Sequence, residues 1–413
     1  MTPKNKCEVC VIGGGAAGMM AALTAAENGR NVILLEKNKY CGKKLNITGK
    51  GRGNITNNCG LDEFLQNVTV NPRFLYKALT VFSPADTMRF FESRGVPVKT
   101  EQGRRVFPAS DRAKDITDCF ERSCRSAGVR ILQGTAKKII AENNAVKSVL
   151  YENGKDVFTI DCESVVLATG GASYPLTGST GDGYKMAAEL GHTVTEIKPS
   201  LVPLLVRESF CSECMGLSLK NVKITFADRS GKEIYSEVGE MLFTHFGVSG
   251  PVVLSASAHL KNDFPYKMLI DMKPGLDEEQ LDKRLLRDFD EFKNKDFINS
   301  LSKLLPHKII EPLVLLSGID GRKKVNEITR EERKRFLALL KAIPLTVTGT
   351  RPVSEAIVTK GGINVKEINP STMESKIIRG LFFAGEVIDV DAYTGGFNLQ
   401  IAFSTGYVAG QNS

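Results

Sequence analysis

Gly13, Gly15 and Gly18, followed after one helix-length by Glu36, are residues whose types and spacing suit a nucleotide diphosphate and its ribose. Gly13 permits a tight turn, Gly15 lets the backbone approach phosphate oxygens, and Gly18 allows the next helix to pack closely. Ala16 and Ala17 lie in the same turn, at a helix N-terminus whose N–H groups and positive dipole end favour an anion. An acid at Glu36 suits an adenosine ribose with a free 2′-hydroxyl, so FAD or NAD is favoured over NADP.

A second stretch, KKLNITGKGRGNITN at 43–57, sets four basic side chains and three glycines around three aliphatic ones. Such a loop embraces nucleic-acid phosphates, wraps a phosphate-bearing cofactor, or simply faces solvent. It starts a few residues after Glu36 and Lys37, which directs it to the same crevice, and its donors exceed what NAD needs. A flavin dinucleotide adds a ribityl chain and a ring rich in acceptors. Gly49, Gly51 and Gly53 would let backbone run against it, while Lys44, Thr48, Arg52 and Asn54 would donate to it.

Two further segments repeat the pattern of apolar strand, then glycine turn. ESVVLATGG ends in Thr169-Gly170-Gly171, and GLFFAGEVIDVDAYTGGFNLQ runs through Gly385, Glu386 and Asp389 to a helix opening at Gly396 with Phe397, Asn398 and Leu399. A helix N-terminus there would stabilise negative charge on a reduced flavin ring. Together with Ala136, these residues are expected to form one composite site for noncovalently bound FAD.

The elements that must position these residues follow from periodicity. CEVCVIGGGAAGMMAALTAAENGRNVILLEK reads as strand, helix, strand, the unit of a Rossmann-like α/β domain. Gly178, Gly181 and Gly183 have the wrong spacing for a second dinucleotide fingerprint, so NAD(P)H is expected only as a transient donor. From about 192 to 345 the pattern changes to strands joined by polar turns, with a hairpin at Ser230-Gly231, and then to amphipathic helices. The second of these helices carries Thr329 and Glu332 at capping-box spacing. The expected division is 1–191, an inserted mainly β domain with a small helical part at 192–345, and 346–413.

With 413 residues, 42% hydrophobic and 25% charged, the chain has ordinary globular composition and no apolar run fit to span a bilayer. A short polar N-terminal lead without signal-peptide character, and nine cysteines, point to a reducing cytoplasm. Cys7 and Cys10 fall in a strand whose alternation would part their side chains, and Cys211 and Cys214 in a loop; free thiols and no metal site are expected. The net charge of +8 is spread along the chain, and helix charges are expected to be solvated faces.

GGGAAG, KKLNITGKGRGNITN, GRRVFPAS, ATGGASYPLTGSTGDGY, FTHFGVSGP, VTKGGINVKEINPSTMESK and the C-terminal GLFFAGEVIDVDAYTGGFNLQIAFSTG together resemble, in order, the motifs of the BaiN-like bacterial flavoproteins. The resemblance covers essentially the whole chain. It implies a split, glutathione-reductase-like FAD domain with an insertion, a substrate crevice beside the flavin, and reduction of a C=C conjugated to a ketone in a steroid-like small molecule. Oxidation of an aminoacetone-type amine is the alternative within the family. Where the family's basic loop is expected to read Arg-Cys-Asn, this chain has Arg52-Gly53-Asn54. His245, in the turn before a helix expected at Pro251, is the one catalytic candidate. An RNA-binding or RNA-modifying flavoprotein and a flavin store are readings from other classes; no nucleic-acid or membrane partner is expected, and oligomeric state is not legible.

Overall fold

The computed structural model describes residues 5–261 and 263–413, so the start of the N-terminal lead lies outside the described residues. Two compact units divide the chain: Met1–Ser200 with Val353–Ser413, and Leu201–Pro352. The first contains a five-stranded parallel sheet in the order Leu381–Phe383, Ser164–Leu167, Val9–Ile12, Val32–Glu36, Arg130–Gln133. The runs VCVI, VILLE and LFF are buried along their whole length, because a parallel sheet covered on both faces selects continuous rather than alternating hydrophobicity. Ala136 lies in a second, four-stranded sheet, on the strand Thr135–Glu142 opposite Tyr151.

This order explains how distant glycine turns meet. Four neighbouring parallel strands end at Phe383, Leu167, Ile12 and Glu36, and ligands bind outside the carboxyl ends of such strands. The helix Ala16–Glu27 follows the first turn, and the C-terminal helix Phe397–Asn412 packs on it. Gly406 and Gly410 permit that approach, since a Cβ on either would collide with the carbonyl oxygens of Ala17 and Ala21.

The second unit is a closed barrel of six strands in the order Leu204–Val206, Gly247–Ser249, Glu233–Thr244, Ser218–Ala227, Tyr266–Asp271, Ile343–Thr350. Helices Glu278–Glu291, His307–Ser317 and Arg330–Lys341 accompany it, the last with the Thr329–Glu332 capping box formed.

Three readings differ from the structure. The division falls at 200/201 and 352/353 because the flanking segments pair with each other: Lys198–Ser200 runs antiparallel to Val358–Lys360. Cys7 lies outside the strand, which begins only at Val9 after a bend at Glu8 where both Glu8 N and Val9 N reach Asn31 O, so strand alternation does not govern the pair. Cys211 lies in a short helix, Phe210–Glu213, capped by Cys214; both are buried, and burial pushes their thiols up to about 12 and about 11.

Candidate functional site

The first turn is built by backbone. Gly13 has φ +104°, and a Cβ there would lie 2.5 Å from Ala168 O; at Gly18 it would strike Gly13 O. Gly15 differs, with no atom within 4 Å of its Cβ position. The helix that Gly15 caps has no side-chain cap and no acid in its first turn. Its first N–H groups therefore have no capping side chain at the positive dipole end, the donor set a pyrophosphate requires.

Glu36, buried at the end of the second strand, accepts from Gly14 N at 2.6 Å and from Asn38 N and Nδ2 at 2.7 Å. Lys37 reaches Thr180 Oγ1 at 2.6 Å and Asp182 at 2.7 Å. Both side chains lie where the first turn meets the 177–182 segment.

A polar cluster then joins four segments. Lys44 Nζ donates to Ser173 Oγ at 2.7 Å and to Glu386 Oε2 at 2.8 Å. Glu386 Oε1 accepts from Thr359 N at 2.8 Å and Ser173 Oγ at 3.1 Å, while Thr359 Oγ1 accepts from Ala172 N at 2.8 Å. Burial would raise the Glu386 carboxyl, but the Lys44 ammonium and these donors hold it below the usual carboxylate range. Gly171 sits against this cluster, where a Cβ would overlap Thr359 Oγ1. Ser173 and Thr359 belong to two of the family-like motifs but escaped the sequence reading, because a hydroxyl among glycines carries no spacing signal. Thr169, on the same turn, has a buried hydroxyl without a partner, and Gly170 takes φ +73°.

The basic loop answers differently from expectation. Gly49, Lys50, Gly51 and Gly53 all have positive φ, and Thr48 Oγ1 donates to Leu45 O. Arg52, expected to line the cofactor, lies over the Phe107 ring at 4.2 Å and pairs with Asp111 and Glu101 at 2.6 and 2.5 Å. Its guanidinium is thus committed within the chain. With its amide oriented to satisfy both ends, Asn54 accepts from Gly396 N at 3.0 Å and donates to Val106 O and Thr56 O at 3.1 Å. The loop also borders a groove of about 590 Å³ lined by Tyr40, Asn46, Lys114 and Glu121 among others.

At the C-terminal turn, Gly385 takes φ +76° against Ala17, and Gly396 takes φ +100° against the Thr56 backbone. Phe397 packs edge-on against Phe64 at 5.0 Å. Asn398 closes the preceding loop through Ala392 N at 3.0 Å and Ala392 O at 2.7 Å; Leu399 packs against the core of this unit. Asp389 receives Asn71 Nδ2 on its carbonyl at 2.7 Å. His245 belongs to the barrel unit, exposed, with its ring edge-on to Phe246 at 4.9 Å.

The chain belongs to the HI0933-like protein Rossmann domain family, whose model matches residues 7–412. It is 31% identical over 411 residues to a 3-dehydro-bile acid delta(4,6)-reductase of Clostridium scindens, covering 97% of each chain. It is 30% identical over 407 residues to a ribosomal RNA dihydrouridine synthase of Haemophilus influenzae, covering 97% of this chain and 96% of that one. A 3-ketosteroid-delta4-(5alpha)-dehydrogenase from Rhodococcus jostii shares the fold, with a TM-score of 0.56 at 14% identity over 100% of this chain and 98% of that one. The protein is an FAD-dependent oxidoreductase with a Rossmann-type cofactor domain. Among the described residues no helix is long and apolar enough to cross a membrane.

Proposed function

We propose that the protein saturates a carbon–carbon double bond conjugated to a carbonyl, with hydride added to the β-carbon and a proton to the α-carbon. The observation that carries this reading is the whole-length likeness to two relatives whose names share one bond type. A 3-oxo steroid unsaturated at C4 and a uracil ring both hold a C=C next to a carbonyl, and both names denote its reduction.

Gly13 to Gly18 would hold the pyrophosphate by backbone N–H groups, with Glu36 at the ribose and the turns at Thr169–Gly171, Gly385–Glu386 and Gly396 along the remaining length. Bound FAD supplies the hydride chemistry, and the chain orients it and excludes water. The Lys44–Glu386 pair locks the turns together, so the site is preorganised by charge and shaped by backbone.

The favoured substrate is a steroid-like small-molecule enone, with a nicotinamide as transient donor and the cytoplasm as compartment. A uridine base in ribosomal RNA is the second reading, favoured by the 30% likeness to the synthase and by the net charge of +8. Anaerobic FAD-loaded protein with NAD(P)H is offered 3-oxo-Δ4 steroids and, separately, ribosomal RNA. Gain of two hydrogens in the steroid, by mass, supports the first. Gain only in a nucleoside digest of the RNA moves the assignment to the second, and neither product sinks the enone reading.

A further inference from the structure

We propose that Asp391 is a redox-linked proton site, its carboxylate taking up a proton when the bound cofactor is reduced and releasing it on reoxidation. The proposal rests on the reading of 385–396 as cofactor-binding, and not on the identity of the substrate.

Asp391 is 1% exposed. Its Oδ2 accepts from Ser200 Oγ at 2.7 Å and Thr69 Oγ1 at 2.8 Å, while Oδ1 is buried without any partner. An ionised carboxylate has room for about four donors, and leaving half of that capacity idle away from water is costly. Two hydroxyl donors and one bare oxygen therefore hold the ionised form only weakly. Burial pushes its affinity for the proton upward, the two hydroxyls and the Lys360 ammonium oppose this, and Glu386 adds to it. Asp389, two residues away, is also raised, chiefly by burial, with Asp391 adding and Thr195, Asn71 and Lys360 opposing.

The same segment therefore holds two carboxylates with opposite settings. Lys44 keeps Glu386 ionised. Asp391 is held only by two hydroxyls on Oδ2 and is shifted the other way, burial raising its affinity for the proton. Two-electron reduction with one proton leaves an extra negative charge at the cofactor, and a buried carboxylate answers a nearby negative charge by binding a proton. The balance is two electrons and one proton at the cofactor, drawn from a hydride donor, and a second proton from solvent on the Asp391 carboxylate. In the window where that proton is coupled, the midpoint potential falls by about 30 mV per pH unit more steeply, one tenfold step of a two-electron couple.

Spectroelectrochemical titration of FAD-loaded protein from acid to alkaline pH tests this. Wild type is expected to show the steeper segment and Asp391→Asn to lack it; superimposable slopes overturn the proposal. Should the variant bind FAD poorly, reduced-minus-oxidised infrared spectra of wild type decide, since a protonated-carboxyl band must grow on reduction. Its absence sinks the idea. The apoprotein gives an independent reading. A raised carboxyl contributes stability that is full below the ordinary aspartate range and is lost as pH rises through the folded value. Asp391→Asn should remove that loss, and parallel stability curves would count against the site. None of these readouts involves substrate, so failure of the enone assay leaves them standing.

Discussion

The helices Ala16–Glu27 and Phe397–Asn412 of the cofactor unit each open on a glycine without a side-chain cap, and they use that glycine in opposite ways. At Ala16–Glu27 the capping Gly15 has extended backbone, φ −83° and ψ −170°, and empty space where a side chain would go. At Phe397–Asn412 the capping Gly396 has φ +100° and is pressed onto the backbone of Thr56. In sequence the two look alike, a glycine before a small-residue helix. In the fold, Gly15 leaves open space beside it and Gly396 is small for the chain itself.

The largest effect should come from breaking the second case. Gly396→Val puts an L side chain in a conformation costing about 1–2 kcal/mol and overpacks a closed contact for roughly 1–3 kcal/mol more. The apoprotein should melt far lower or fail to fold. A variant with wild-type melting temperature would show that the crowding at Thr56 relaxes freely, and the contrast with Gly15 would collapse.

Gly15→Val is the mirror experiment. Extended backbone accepts valine, and exchanging glycine for a poor N-cap costs about 1 kcal/mol at most, so the apoprotein should melt nearly as wild type does. FAD, measured by release into heat-denatured supernatant, should be absent. Stoichiometric FAD in this variant would mean that the open space is not where the pyrophosphate binds.

This contrast marks what was legible in the sequence. The βαβ unit, the glycine turns and the inserted β-rich segment with its helices follow from periodicity, because burial on both faces or on one writes itself directly into the order of apolar residues. Strand order is not local. Nothing in LFF at 381–383 says that it lies beside Ser164–Leu167, yet that adjacency brings Glu386 to Lys44. Side-chain roles were the least legible. Lys44, Arg52 and Asn54 read as donors to a ligand, and within the chain Lys44 donates to Glu386, Arg52 to Asp111 and Glu101, and Asn54 to Val106 O and Thr56 O while accepting from Gly396 N. The basic loop is partly a set of internal ties, and the acids that receive them lie some 50 to 340 residues away.

Lys44→Ala should fall between the extremes. Removing the ammonium leaves Glu386 with its backbone and hydroxyl donors but no counter-charge; for a partly exposed pair the cost is about 1–2 kcal/mol. The sign with pH is fixed by the lowered carboxyl. The pair's stability is present above the ordinary glutamate range and lost as pH falls through the folded value of Glu386. Wild type and Lys44→Ala should thus differ at neutral pH and converge in acid. A constant difference down to acid would assign the lysine a role in packing rather than charge.

The smallest effect separates the two meanings of a residue at the loop's end. If Asn54 serves the chain by capping Gly396, then Asn54→Ala leaves one helix-opening N–H without its partner, a loss of about 1 kcal/mol that appears in the apoprotein. FAD affinity, titrated into apoprotein well below its melting temperature, should then change little. If Asn54 instead donates to the cofactor, the order reverses: the apoprotein melts as before and affinity falls about tenfold, the equivalent of one hydrogen bond. The second outcome would return the residue to the ligand side and place the C-terminal helix, like the first, open toward the cofactor.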